Sequence, residues 1–127
     1  MLSIATNSSR EILDIIDTIQ STIDASKIKA TVCHISVLHT TAAITTADLD
    51  PGTDQDYLNF FDQLTPTIQW KHPHDPSHTP DHIWSTIIGT QRTIPIKNGK
   101  LLLGTWQRIV LIELDGPRER TIVVTTD

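Results

Sequence analysis

Six histidines occur in the 127 residues, and four of them, His72, His74, His78 and His82, fall close together. Imidazole is the commonest metal ligand and the side chain best suited to proton transfer near neutral pH. His78 and His82 are four residues apart, so they would share a face if both were helical. Pro80 lies between them, however, and suits the first position of a helix, which puts His78 before that helix. There is no His-Glu-x-x-His pattern, and the single cysteine, Cys33, is distant. The spacing is thus a weak metal signature, and His74 and His78 read as solvated loop residues. His82 falls in the first turn of the expected helix, where free backbone N–H groups and the positive end of the dipole favour an anion. A neutral imidazole there suits a general base, or a donor to a leaving phosphate. A histidine packing over Trp70 or Trp84 is the plainer alternative.

The stretch "LHTTAAITTADLDPGTDQD", residues 38–56, poses a second question. An apolar run stops on His39 and passes through Thr40 and Thr41 toward four aspartates. By its own residues His39 fits either a hydrogen-bonded histidine at the rim of the core or the start of a site. Asp50-Pro51-Gly52 is turn chemistry, and Asp56 fits a helix cap. A calcium loop is excluded because its glycine and closing glutamate are missing. Near the C-terminus, Arg118 and Arg120 alternate along a strand and so point to one side, a pair suited to phosphate or carboxylate. Gln107 and Glu113 share the parity of Ile109 and Leu111, which turns them toward the core. A buried carboxylate there needs a histidine or arginine partner.

The elements that must position these residues follow from hydrophobic spacing. "SSREILDIIDTIQSTI" opens with Ser8 three residues before Glu11, a capping-box pattern, and Ile12, Ile15, Ile16, Ile19 and Ile23 form one helical stripe. "KATVCHISVLH" is a strand with Cys33, Ile35, Val37 and His39 on one face. "TDQDYLNFFDQL" is a helix capped by Thr53, with Asp56 in the capping-box position and Tyr57, Phe60, Phe61 and Leu64 buried. A further helix starts at Thr79–Pro80 and stops at Gly89, with Ile83, Ile87 and Ile88 inward. "KNGKLLLG", "TWQRIVLIEL" and "ERTIVVTT" are strands, the last two expected to pair as a hairpin through "DGPRE". The sum is an α+β fold: one compact domain, residues 1–127, of packed, mostly antiparallel sheets with two to three helices.

Charge and composition remove several classes of function. The net charge of −5 opposes general nucleic-acid binding. Residues 89–127 nevertheless carry six basic and four acidic side chains, against four and eleven in residues 1–88, so a local anion site is permitted. No apolar run is long enough for a membrane span. The lone cysteine and the absence of a signal-peptide layout suit a cytoplasmic protein. No dinucleotide fingerprint, Walker lysine or nucleophile elbow is present.

Taken in order, "HISVLHTTAAIT", Asp50-Pro51 followed by Asp56, "WKH" at 70–72, "DHIWSTIIGT", "IPIKNGKLLLGTWQRIVLIELDGPRER" and "TIVVT" resemble the YjbQ-like proteins, also called the secondary thiamine-phosphate synthase family. The resemblance covers roughly residues 30–126, and "GTWQ" with the acidic strand end and "GPR" is its most specific part. It implies a homotrimer that joins a hydroxymethylpyrimidine diphosphate to a thiazole phosphate with loss of pyrophosphate, a transferase of thiamine biosynthesis; the chemistry of displacing pyrophosphate, which needs its developing charge stabilised, makes Mg²⁺ the expected ion. It implies catalytic roles for His39, His72, His82 and Asp56, the last paired with His72 to orient a ligand or hold Mg²⁺. Substrate contacts are implied for Thr40, Thr41, Asp48, Ser85, Gly104, Thr105, Gln107, Glu113 and Arg118. The family commonly carries Asn-Glu where this chain has Ala47-Asp48, and a lysine where it has Trp84. Two other functions suit the same residues: a non-catalytic trimeric binder of a phosphorylated metabolite, and a metal-dependent hydrolase built on the histidines.

Overall fold

The computed structural model describes residues 1–127. In chain order the elements are β1 (Leu2–Ala5), β2 (Glu11–Asp14), α1 (Ile16–Ser26), β3 (Val32–Val37), β4 (Ala42–Ala47) and α2 (Thr53–Leu64). A 3-10 turn (Pro76–His78) leads into α3 (Thr79–Ile88), followed by β5 (Gln91–Lys97), β6 (Lys100–Leu101), β7 (Arg108–Glu113) and β8 (Glu119–Thr126). The expected α+β class holds. All strand pairs are antiparallel and form two sheets, a five-stranded one in the order β1-β8-β3-β5-β6 and a three-stranded one in the order β2-β7-β4. No helix is long and apolar enough to cross a membrane.

The alternation in β3 is realised. Cys33, Ile35 and Val37 are buried with Ile44, Ile109, Leu111 and Ile122, and α1 adds Ile19 and Ile23. Strand β7 behaves differently, because it is covered on both faces. Ile109 and Leu111 enter this core, while Val110 and Ile112 join Ile12, Ala43 and Leu58 in a second one. Burial on both faces explains the unbroken apolar run "IVLI", since neither face needs polar residues.

Four local expectations are corrected. The first helix begins at Ile16, not after Ser8, and Glu11–Asp14 is a strand paired with β7. Glu11 does accept a backbone bond, from the Asn7 N–H at 2.8 Å, but in the turn before β2, whereas the Asp14 carboxylate accepts from the Ile16 N–H at 3.0 Å at the true helix start. Strands β7 and β8 form no hairpin. Each is the inner strand of a different sheet, and residues 114–118 carry the chain from one sheet to the other. Thr53 is the first residue of α2 rather than its cap; Gly52 precedes it at φ 91°, a left-handed conformation that glycine adopts without strain. The buried faces of α2 and α3 are also rotated from the expected ones. Leu58 and Ser85 are buried, whereas Phe60, Leu64, Ile83 and Ile87 are exposed. Both helices cover the narrow three-stranded sheet, which leaves their outer apolar residues in solvent.

Candidate functional site

The crossing between the sheets creates the site. At its start Glu113 ends β7, and at its finish Arg120 lies in β8; both side chains are buried. Arg120 Nε donates to both Glu113 oxygens at 3.0 and 3.1 Å, and its Nη2 also pairs with Glu113. Thr6 Oγ1 donates to the same carboxylate at 2.6 Å, and the Asp115 N–H donates at 3.2 Å. Burial alone raises the Glu113 pKa, but these donors outweigh it and hold the group below its ordinary value. The partner foreseen for this carboxylate is thus Arg120. Its Nη2 continues to the Thr41 carbonyl and hydroxyl at 3.1 and 3.0 Å, which fixes the β3–β4 connection against the sheet junction.

His39 stands in that connection, two residues past the end of β3. Its Nε2 accepts a hydrogen bond from the Thr121 N–H at 2.8 Å. A backbone N–H can only donate, so Nε2 carries a lone pair and the proton of the neutral ring sits on Nδ1. Burial lowers the His39 pKa, and the Arg120 and Arg118 charges add to this against an opposing effect from Glu113. His39 is therefore neutral, with its accepting nitrogen already used and its Nδ1–H left as a donor.

The opposite wall comes from the segment before α3 and the first turn of that helix. His72 and His82 stack with ring centroids 4.8 Å apart and planes inclined by 18°. The Pro73 carbonyl accepts from His72 Nδ1 at 2.6 Å, leaving His72 Nε2 as the free nitrogen. His39, Thr40, Thr41, His72, His82 and Arg118 line one cavity of about 560 Å³, and only one of its twelve lining residues, Leu38, is hydrophobic. A second cleft of about 440 Å³ shares His39, Thr40 and His82 and adds Ser85. Ser85 is buried and donates to the Ala42 carbonyl at 2.6 Å, so it anchors α3 to β4.

The other expected site residues lie elsewhere. Asp56 is exposed in the first turn of α2 and makes no pair with His72. Gly104 and Gln107 form a turn in which the Gly104 N–H donates to Gln107 Oε1 at 3.0 Å. Gln107 is exposed before β7, not turned to the core, and its Nε2 donates to Thr46 Oγ1 at 3.1 Å. Asp48 and Thr105 line a separate cleft of about 280 Å³ with Asp14, Trp106 and Arg108. Trp84 faces away from the cavity: it packs on Phe61 and donates from Nε1 to Thr65 at 2.8 Å.

The cavity is also lined by Asp75 and Asp115, which sequence reasoning does not single out, and by His74 and His78, which it reads as solvated. His78, expected to be solvated, has Asp75 2.7 Å from Nε2, with Asp115 and Asp81 2.9 and 3.8 Å from Nδ1. The hydrogen bond to Asp115 raises the His78 pKa, with the nearby carboxylate charges adding to it and partial burial opposing it. Asp115 also binds Arg118, through its carbonyl at 2.7 Å and its carboxylate at 3.0 Å. Arg118 and Arg120 both line the cavity but differ in setting. One is exposed and tied to the loop, and the other is buried beneath it. The signal available in the sequence was the acidic count around His78, with Asp75 and Asp81 each three residues away.

A family model described as "UPF0047 protein YjbQ-like" matches residues 1–126. The chain belongs to the YjbQ/UPF0047 family. The UPF0047 protein MJ1081 of Methanocaldococcus jannaschii is 43% identical over 122 residues, covering 95% of this chain and 88% of that protein. A crystal structure of a family protein from Clostridium acetobutylicum, an orthologue of Bacillus subtilis YugU, superposes with a TM-score of 0.89 at 34% identity, covering 99% of this chain and 98% of that one. A family structure from Sulfolobus solfataricus, described as being of unknown function, gives 0.88 at 38% identity, with coverages of 97% and 91%. Both extend the YjbQ fold over essentially the whole chain.

Proposed function

We propose that the histidine-lined cavity binds a small phosphorylated metabolite, and that the reaction performed there is thiamine-phosphate synthesis from a pyrimidine diphosphate and a thiazole phosphate. The observation that supports this most is the lining itself. A cavity of about 560 Å³ with one hydrophobic residue among twelve suits a charged metabolite rather than an apolar one. Donors converge on it: the His39 Nδ1–H, the Thr40 hydroxyl, the Arg118 guanidinium and the His72–His82 stack.

In this reading the thiazole nitrogen attacks the methylene carbon of the pyrimidine as the bond to the diphosphate oxygen breaks. The nucleophile is an unprotonated ring nitrogen, so no base is needed. What the site must supply is stabilisation of the departing diphosphate, and hydrogen-bond donors held in place before reaction do that at least cost. Mg²⁺ would enter on the diphosphate, as it does with many phosphate substrates. The cleft that shares His39, Thr40 and His82 provides room for the second substrate. A cytoplasmic homotrimer completes the proposal, and exposed Leu102 and Trp106 offer apolar surface that assembly would cover.

A single-turnover assay tests the reaction, with protein in excess over both substrates and Mg²⁺, comparing the native chain with His82→Ala. Product from the native chain alone supports it. No product, or equal product from both, refutes it. Saturable diphosphate binding without product would reduce the function to that of a binding protein.

A further inference from the structure

Three carboxylates surround His78, and they do so unevenly. On one side of the ring, Nε2 meets Asp75 at 2.7 Å, and Asp75 is itself held by the Ser77 N–H at 3.1 Å and the Ser77 hydroxyl at 2.5 Å. On the other side, Nδ1 faces Asp115 at 2.9 Å and Asp81 at 3.8 Å. The 3-10 turn, the first turn of α3 and the β7–β8 crossing each contribute one of these groups. One nitrogen and two carboxylate oxygens, from His78, Asp81 and Asp115, all lie within 4.8 Å of one another.

We propose that His78, Asp81 and Asp115 bind a divalent transition-metal ion, Mn²⁺ or Zn²⁺, with Asp75 as the outer partner that orients the imidazole. Metal–ligand bonds of about 2.1 Å require neighbouring ligand atoms to be roughly 3.0 Å apart in an octahedral site and 3.4 Å in a tetrahedral one. The 2.9 and 3.8 Å separations around Nδ1 bracket that range. A ligating histidine almost always gives its other ring N–H to a carboxylate, a backbone carbonyl or water, which fixes the tautomer, and Asp75 is placed to receive it.

Asp81 adds an independent argument. Its side chain is only 20% exposed; the Arg10 charge offsets part of that burial from beyond ion-pair distance, and His78 at 3.8 Å is beyond hydrogen-bonding distance. A carboxylate removed from water in this way is costly unless a cation meets it. The imidazole ligand favours a borderline ion over Ca²⁺, which prefers oxygen alone. Arg118 shares Asp115, 3.0 Å from its carboxylate, so the ion would sit beside a fixed positive charge. His78 and Asp115 both line the large cavity, and three protein ligands leave open coordination positions. The ion and a proton compete for Nδ1, and binding releases that proton to solvent. None of this depends on the identity of the metabolite.

The test is a titration of the chelator-treated full chain with Mn²⁺, read from the loss of the free-ion paramagnetic resonance signal and repeated calorimetrically with Zn²⁺. The expected result is one equivalent per chain, with affinity at least tenfold weaker in Asp81→Asn and about ten- to a hundredfold weaker in Asp75→Asn. His34→Gln, which removes a histidine bound to Thr93 on the five-stranded sheet, should leave binding unchanged. No saturable equivalent, or native affinity in Asp81→Asn, overturns the site. Thermal melts of each variant separate lost binding from lost folding, and Asp75→Asn keeps the test decisive if Asp81→Asn fails to fold.

Discussion

Replacing Glu113 by Gln changes almost no volume and removes one charge from the sheet junction. The carboxylate is fully buried, as is Arg120, so the variant leaves an uncompensated guanidinium in the interior. Breaking a buried pair in this way costs about 3–5 kcal/mol. With an unfolding entropy near 2.1 cal/mol/K per residue, a chain of this length loses about 3.7 °C of Tm per kcal/mol. The expected loss is therefore about 11–19 °C at pH 7, measured by circular dichroism melts and checked by urea denaturation. The pH dependence supplies a second check. The folded-state pKa of Glu113 is lowered, so its contribution to stability is present above the ordinary carboxylate pKa and disappears as pH falls through the folded value. Native and variant proteins should converge in acid. A loss below about 4 °C at neutral pH would refute the reasoning, because the charge would then be solvated or compensated by other groups.

Three further outcomes follow from the same region. His39 should stay neutral below pH 6.5, where an unperturbed imidazole gains its proton, because its pKa is lowered by burial and by Arg120. Stability should accordingly fall with pH as the unfolded chain takes up that proton; an NMR titration of the ring with an ordinary midpoint would contradict it. Gly116→Ala should destabilise by about 1–3 kcal/mol in urea unfolding, since a Cβ there lies 2.2 Å from the Ser8 carbonyl oxygen and 2.8 Å from Glu113 Cγ. Ser85→Ala should cost about 1–2 kcal/mol by leaving the buried Ala42 carbonyl without its side-chain donor, and unchanged stability would show that it finds another.

The strands of the core were the most legible part of the chain. Period-two alternation located Cys33, Ile35 and Val37 inside, because β3 has one buried face. The first helix misled because Ile12, Ile15 and Ile16 satisfy helical spacing while a strand ends between them at Asp14. The hairpin expectation failed for a different reason: adjacency in sequence says nothing about which sheet a strand joins. Both β7 and β8 had better neighbours already, β2 and β4 for one, β1 and β3 for the other. In the site, the histidines at 39, 72 and 82 do meet, although they come from segments separated by up to 43 positions. Asp115 stayed hidden because Asp-Gly reads first as turn chemistry. His78 stayed hidden because its acidic partners reach it only after the loop folds onto the sheet crossing.

That crossing also bears on how such a protein can diversify. Glu113 and Arg120 must face each other across a bend of fixed length, with Gly116 wedged against Ser8. An insertion between 114 and 118 would separate the pair, so this corner is closed to length variation. Residues 65–75 face no such constraint: most are exposed and none belongs to a strand or helix, yet they carry His72 and His74 into the cavity. One wall of the cavity is thus set by the framework, and the other is free to be rewritten. Relatives that take different ligands should differ in the second and preserve the spacing of the first.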